Sequence, residues 1–179
     1  MGGRISNPRI NAANDGSVPS PGAALASRTS GDYMGIRGGN VADLRICIDV
    51  SDLDRAIDFY CRGLGLRLGR RNGAHWAELV GAGCPVDLLP VEAGSKATPT
   101  STALRDFGRH WTPVHLDLVV PELETAVRRA EDAGARLERE IVVRRWGRMA
   151  NLSDPFGHGF CLLEFAGRGY DELLAPDSG

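Results

Sequence analysis

The sequence predicts an α+β protein built from two copies of one strand–helix–strand–strand–strand module. The main observation is an internal repeat, because Val50-Ser-Asp-Leu-Asp-Arg-Ala56 matches Val120-Pro-Glu-Leu-Glu-Thr-Ala126 at a distance of 70 residues. Each copy follows an alternating apolar segment and precedes a helical pattern that ends at a glycine, Gly65 or Gly134. Two copies are too few for a solenoid, so a duplicated module is the simpler interpretation.

Each module opens with a strand whose residues alternate between an aliphatic face and a polar face. The polar face of the first strand holds Arg45, Cys47 and Asp49. The polar face of the second strand holds His115 and Asp117. Because a helix is expected to cover the aliphatic face, the polar face must line a cavity or meet solvent.

The helix of each module shows apolar residues at helical spacing and a recognisable first turn. Ser51 and Asp54 form a variant of the capping box, and Pro121 suits the first turn of the second helix. The remaining strands of the two modules are predicted near residues 76–80, 86–89, 148–152 and 159–164.

The chain divides unevenly around these modules. Residues 1–40 are rich in Gly, Ser, Asn and Pro without apolar periodicity, so we expect a disordered leader there. The later boundaries are predicted as a first module, a linker, a second module and a tail at residues 41–90, 91–112, 113–166 and 167–179. The linker is long for a compact domain, and it either closes over a ligand or is a surface connector.

Composition and charge exclude several classes of function. The chain has 179 residues and a formal net charge of −2, so it lacks the basic excess of a general nucleic-acid-binding protein. No apolar run is long enough for a transmembrane helix, and the N-terminus lacks the apolar centre of a secretory signal. The four cysteines show no CxxC spacing, so we interpret them as free thiols of a cytoplasmic protein.

Several segments resemble the vicinal oxygen chelate superfamily, which includes glyoxalase I, bleomycin-resistance proteins and extradiol dioxygenases. They are Ser-Asp-Leu-Asp-Arg-Ala-Ile-Asp-Phe-Tyr at residues 51–60, Leu64-Gly65-Leu66, and Leu152-Ser-Asp-Pro-Phe-Gly-His-Gly-Phe-Cys-Leu162. The beginning and end of the second module, His115-Leu-Asp117 and Phe160-Cys161-Leu162, are most similar to the glyoxalase-like subgroup. The resemblance covers residues 41–166. It implies two βαβββ modules that form a cup-shaped mixed β-sheet, with helices on the outside, around a small-molecule site.

The resemblance also implies where a metal ion would bind. In the metalloenzymes of the superfamily, four inward positions supply the ligands, and these positions fall on Arg45, Asp87, His115 and Cys161. Arginine cannot ligate a metal, and Cys161 would ligate only as a thiolate. We therefore expect no cofactor, with His115 and Asp87 as ligands only if a divalent ion proves to be bound.

The candidate site residues follow from the inward positions of the implied cup. We predict catalytic roles for His115, Asp117 and Asp87, since a histidine suits acid–base work and a carboxylate orients or assists it. Residues predicted to bind substrate are Arg45, Cys47, Trp76, Glu78, Cys161 and Trp111. The simpler alternatives stay open: an Arg45–Asp87 ion pair, a buried hydrophobic Cys161, a structural His115, and Trp76 and Glu78 as surface residues.

Three functions are compatible with these residues. The first is a metal-independent enzyme of lyase, isomerase or cyclase type, in which Arg45 holds an oxyanion. The second is a metal-free protein that binds an antibiotic or metabolite, and the third is a divalent-metal glyoxalase or dioxygenase. In each case we expect a small-molecule partner and a homodimer, and neither nucleic acid nor a membrane.

Overall fold

Two modules with the predicted order of elements make up residues 44–174, the part of the chain that the computed structural model describes. The leader expected at residues 1–40 lies outside the described residues, as does the tail beyond residue 174. The α+β class and the βαβββ modules are confirmed, and each module forms its own mixed sheet.

The first module consists of β1 (Ile46–Val50), α1 (Leu53–Asp58), β2 (Arg67–Asn72), β3 (Trp76–Val80) and β4 (Val86–Pro90). A π-helical turn (Phe59–Gly63) extends α1, and Gly65 leaves it with a positive φ of 76°. The strand order is β1-β4-β3-β2, with β1 parallel to β4 and the other pairs antiparallel. Asp52 caps α1 by accepting the backbone N–H of Arg55 at 3.0 Å, so the capping residue is not the predicted Ser51.

The second module repeats this plan with one strand divided in two. Its elements are β5 (Leu116–Val119), α2 (Leu123–Asp132), β6 (Arg136–Leu137), β7 (Val142–Arg144), β8 (Gly147–Ser153) and β9 (Gly159–Phe165). The strand order is β5-β9-β8-β6, and β7 also pairs with β8. The strand that begins each module, β1 or β5, therefore lies at one edge of its sheet.

One hydrophobic core is shared by the two sheets. Helix α1 packs on β3 and β4, and helix α2 packs on β6, β8 and β9 and against the π-helical turn. The Phe59 and Phe160 rings meet edge to face with centroids 6.3 Å apart. The buried Tyr60 hydroxyl donates to Asp154 Oδ2 at 2.6 Å, which joins the modules through a polar contact. Because both apolar faces point to this core, the polar face of each sheet points away from it.

The segment between the modules follows the surface without helix or long strand. Arg105 fixes its middle by donating to Asp49 Oδ2 at 2.6 Å and to the Lys96 carbonyl at 2.6 Å. After β9 a short 3₁₀ helix (Gly169–Leu173) places the Tyr170 ring against Trp146 and Phe165. The described part of the tail thus docks on the second module of its own chain. No helix within residues 44–174 is long and apolar enough to cross a membrane.

Candidate functional site

The polar face of the first sheet carries a network of two arginines and two carboxylates. The strand register places Asp87 beside both Cys47 and Glu78, which brings three polar side chains onto this face. Arg45 donates to Asp87 Oδ1 and to Glu78 Oε2, each at 2.7 Å. Arg70 completes the network by donating to Glu78 Oε2 at 2.6 Å. The ion pair between Arg45 and Asp87 is therefore present.

These contacts determine the charge of the network. Hydrogen bonds from Arg70 and then Arg45 lower the pKa of Glu78 to about 2. Hydrogen bonding from Arg45 likewise lowers the pKa of Asp87, and the Trp76 indole N–H adds a donor at 3.1 Å. The charges of two arginines and two ionised carboxylates sum to zero. Because both carboxyl pKa values are lowered, neither Glu78 nor Asp87 is an effective base near neutral pH in this arrangement.

The polar face of the second sheet carries a different cluster. Asp117 pairs with Cys161 across β5 and β9, and His115 Nε2 lies 3.2 Å from Asp117 Oδ1. Asn151 Nδ2 donates to Cys161 Sγ at 3.1 Å. Burial, followed by the charge of Asp117, raises the pKa of the Cys161 thiol to about 12. Cys161 is therefore a neutral, buried thiol and a poor nucleophile.

A cleft of about 760 Å³ opens between the edges of β1 and β5. Its walls are mostly apolar and include Ile46, Ile48, Leu116, Leu118 and Phe160, while residues 104–107 and 110–114 form another side. Cys47, Trp111 and His115 all line it, and the Trp111 and His115 rings lie with centroids 4.7 Å apart. The cleft thus joins apolar walls to the polar cluster of the second sheet.

The structure brings some of the predicted site residues together and keeps others apart. His115, Asp117 and Cys161 form one group, with Trp111 beside His115. Arg45, Trp76, Glu78 and Asp87 form a second group, with Cys47 next to Asp87. Within residues 44–174, no hydrogen bond or ion pair joins the two groups. Of the nine predicted residues, all in the described part of the chain, Cys47, Trp111 and His115 line the cleft and the other six do not.

Sequence reasoning missed three residues of these sites. Arg70 lies opposite Glu78 because of the β2–β3 register, but its segment was not assigned as a strand. His110 and His158 both line the cleft, and their rings are in contact. The only signal in the sequence was two histidines in segments without periodicity, which gives no reason to pair them.

The donor set does not fit the divalent ion that the fold family implies. Of the four family positions, Arg45 offers no lone pair and is already bound to Asp87. The ligand atoms of His115, Asp117 and Cys161 do lie within 4.8 Å of one another. However, the thiol of Cys161 is protonated, which leaves one imidazole and one carboxylate as ready donors. Tight divalent sites usually have at least three protein ligands.

Comparison with known proteins agrees with this fold. The family model of the glyoxalase-like domain matches residues 45–163. The uncharacterised Mycobacterium tuberculosis protein Rv0887c is 30% identical over 157 residues, which cover 82% of this chain and 86% of that protein. The uncharacterised Mycobacterium bovis protein Mb0911c is 32% identical over 124 residues, which cover 63% of this chain and 76% of that protein.

Solved structures show the same architecture at lower identity. A glyoxalase-related enzyme from Fulvimarina pelagi is similar with a TM-score of 0.54 and 19% identity, covering 70% of this chain and 88% of that one. The fosfomycin resistance protein FosX from Listeria monocytogenes is similar with a TM-score of 0.54 and 15% identity, covering 70% and 95%. From the family model and the relatives at 30% identity, the chain belongs to the glyoxalase-like domain family, within the vicinal oxygen chelate superfamily.

Proposed function

We propose that the protein is a metal-independent enzyme that acts on a small apolar molecule by proton transfer at His115. The observation that carries the proposal is the position of this ring, which lines the apolar cleft while its Nε2 atom lies 3.2 Å from Asp117 Oδ1. In a neutral imidazole whose Nε2–H donates to Asp117, Nδ1 keeps a lone pair. His115 then acts as the base, and Asp117 orients it.

The reaction class follows from which groups are able to react. Cys161 is neutral and buried, so a covalent thiol intermediate is disfavoured. Glu78 and Asp87 are neutralised by arginines, so they are weak bases. Proton abstraction beside a carbonyl by His115 begins many lyase, isomerase and cyclase reactions, and these classes suit the site.

The proposal includes a homodimer that completes the cup. The side chain of Arg45 is 41% exposed on one polar face, and that of His115 is 34% exposed on the other. Since these faces point away from the shared core, a second copy would set the first sheet of one chain against the second sheet of the other. In that assembly Arg45 would lie near the partner's acid–base pair and hold an oxyanion. We propose a cytoplasmic location, with which the four free cysteines agree.

The enzyme proposal is tested with 5-nitrobenzisoxazole, an apolar compound whose ring opens when one base removes a proton from carbon. We expect its ring opening to fall by about 100-fold or more in His115→Gln, since one general base contributes about that much. The matched control is His75→Gln, because His75 is exposed in the β2–β3 turn. A wild-type rate no faster than free imidazole at equal concentration would contradict the proposal.

A metal-free binding protein is the second candidate, and the character of the cleft favours it. The walls are apolar, and Trp111 is 46% exposed. An exposed indole of this kind offers a surface on which a flat ligand is able to stack. The likeness to FosX carries the fold alone at 15% identity. The two candidates separate by their response to His115→Gln, which should abolish turnover but leave affinity within severalfold if the protein is an enzyme.

A further inference from the structure

His110 and His158 form a hydrogen-bonded pair that holds the linker against both modules. His158 Nε2 lies 2.7 Å from the carbonyl oxygen of Asp49, at the end of β1. His158 Nδ1 lies 3.0 Å from His110 Nε2, and His110 Nδ1 lies 2.9 Å from the carbonyl oxygen of Gly108. All four ring nitrogens therefore have a partner, and the chain of contacts runs from β1 to the linker.

The number of protons in this chain follows from the chemistry of its ends. A carbonyl oxygen only accepts, so His158 Nε2 and His110 Nδ1 must each carry a proton to make their contacts. The contact between the two rings needs one further proton. The chain therefore requires three N–H protons, whereas two neutral imidazoles supply only two.

We propose that His110 and His158 share three N–H protons and together latch the linker over the cleft, so that loss of the third proton opens the latch. With only two protons, one of the three contacts has no N–H. In that contact a nitrogen lone pair faces either a carbonyl oxygen or the nitrogen lone pair of the other ring, and the two repel. With four protons, two N–H groups face each other at 3.0 Å. The latch is therefore closed only in the singly charged state, and it opens on both sides of it.

Charged groups of both signs surround the pair. Asp49 is bound to Arg105, and Arg109 is bound to Glu138, so these pairs cancel. Two further carboxylates lie nearby, Asp106 in the linker and Asp154 in the turn before β9. Two polar rings also lie nearby, Tyr60 in the π-helical turn and His115 in the cleft. Arg55 and Arg136 line one pocket with Asp154, so the four carboxylates and four arginines of these surroundings sum to zero. The third proton is therefore required by the hydrogen bonds of the pair and not by the charge around it.

The latch determines the shape of the cleft through its neighbours in sequence. The backbone N–H of His110 donates to the Gly157 carbonyl at 2.9 Å, and the next residue, Trp111, lies on Gly159 and beside His115. Gly157 has a φ of +84°, and a Cβ there would lie 1.9 Å from the Gly108 carbonyl oxygen. When the ring contacts break, the linker keeps its Arg105–Asp49 ion pair but loses its connection through His158 to the Asp49 carbonyl, and the Trp111 wall of the cleft is less firmly held.

The first experiment counts the protons directly on the full chain labelled with ¹⁵N-histidine. The chain has four histidines, so a long-range ¹H–¹⁵N spectrum separates the rings, and His110→Gln and His158→Gln assign them. Spectra are recorded from about pH 5.5 to about pH 9, where histidine pairs change charge. We expect a range in which the pair holds three protons, with His158 Nε2 and His110 Nδ1 both protonated. A pair that holds two protons at every pH where it is in contact overturns the proposal.

The second experiment measures amide hydrogen exchange of residues 104–112, corrected for the intrinsic effect of pH. We expect protection to pass through a maximum where the pair is singly charged and to fall several-fold on either side. His75→Gln serves as the matched control and should keep this maximum. His158→Gln should lose the maximum, because an amide does not change charge. If the pair holds three protons but protection does not vary with pH, the latch is overturned. Neither experiment uses activity, so the result does not depend on the proposed function.

Discussion

His115 directly precedes β5, two positions before Asp117, and the His115 Nε2 and Asp117 Oδ1 atoms are 3.2 Å apart. Alternation along a strand produces this relationship, because residues i and i+2 project from one face. Local geometry is therefore enough to bring the carboxylate to the imidazole. The pair sits where the apolar cleft meets the polar face of the second sheet, which gives it both a ligand space and solvent access.

Asp117→Asn should slow proton transfer without weakening binding. The amide occupies the same volume, but its NH₂ group is able to donate to His115 and favour the wrong tautomer. We expect the kcat for 5-nitrobenzisoxazole to fall by about 10-fold or more, with KM nearly unchanged. Asp132→Asn, on the exposed face of α2, is the control. An equal rise in KM with kcat unchanged would indicate a binding role instead.

Glu78→Gln should remove part of the loss of stability that acid causes. The pKa of Glu78 is about 2 in the folded protein, against its ordinary 4.5, because Arg70 and Arg45 donate to it. A lowered folded-state pKa gives stability that is present above the unfolded value and is lost as pH falls towards 2. Urea midpoints of wild type should therefore drop across this range more steeply than those of Glu78→Gln.

The control for that measurement is Glu131→Gln, on the exposed face of α2. It should keep the wild-type dependence on pH. Parallel curves for wild type and Glu78→Gln between about pH 4.5 and about pH 2 would show that the network contributes no linked stability.

Gly159→Ala should displace the aromatic wall of the cleft. A Cβ at this position would lie 2.1 Å from Cε3 of Trp111, so the indole has to move. We expect a red-shifted Trp111 emission in a Trp76→Phe/Trp146→Phe background and a loss of about 1–3 kcal/mol of stability. Gly83→Ala is the matched control, because no heavy atom lies within 4 Å of the position of its Cβ. Unchanged emission in Gly159→Ala would mean that Trp111 does not rest on β9 in solution.

Protein purified without chelator or affinity-column metal should contain far less than one divalent ion per chain. The reason is the donor set, since Arg45 is unable to ligate and the Cys161 thiol is protonated. Elemental analysis measures the content, and thermal unfolding with and without added Zn²⁺ or Mn²⁺ measures any binding. Near-stoichiometric metal with a melting temperature that falls on chelation would restore the metalloenzyme alternative.

Much of the fold was predictable because the two modules repeat the same periodicities. Alternation assigned Arg45 and Cys47 to one face of β1, and the structure places Asp87 next to them by register. Helical spacing located α1 and α2, although the cap fell on Asp52, since neighbouring Ser and Asp side chains are equally good acceptors. Local pattern is sufficient wherever an element has a buried face.

The remainder was not predictable, because it depends on contacts between segments that share no periodicity. The linker has no amphipathic pattern, so nothing in it indicated that His110 would meet His158 across 48 residues. Arg70 precedes a turn, and its segment shows no strand pattern, although it is one of the two arginines that form ion pairs with Glu78. The relative direction of the two polar faces depends on how the modules pack against each other. The sequence pattern of one module contains no information about that packing.

The shared core between two separate sheets has a consequence for the origin of the chain. Each module closes its sheet with its own strands, yet Phe59 of one module packs on Phe160 of the other, and Tyr60 donates to Asp154. A half-length ancestor would have left that apolar surface bare unless two identical subunits joined through their helices. Duplication of such a module would give this arrangement within a single polypeptide, and the linker would make the pairing independent of concentration.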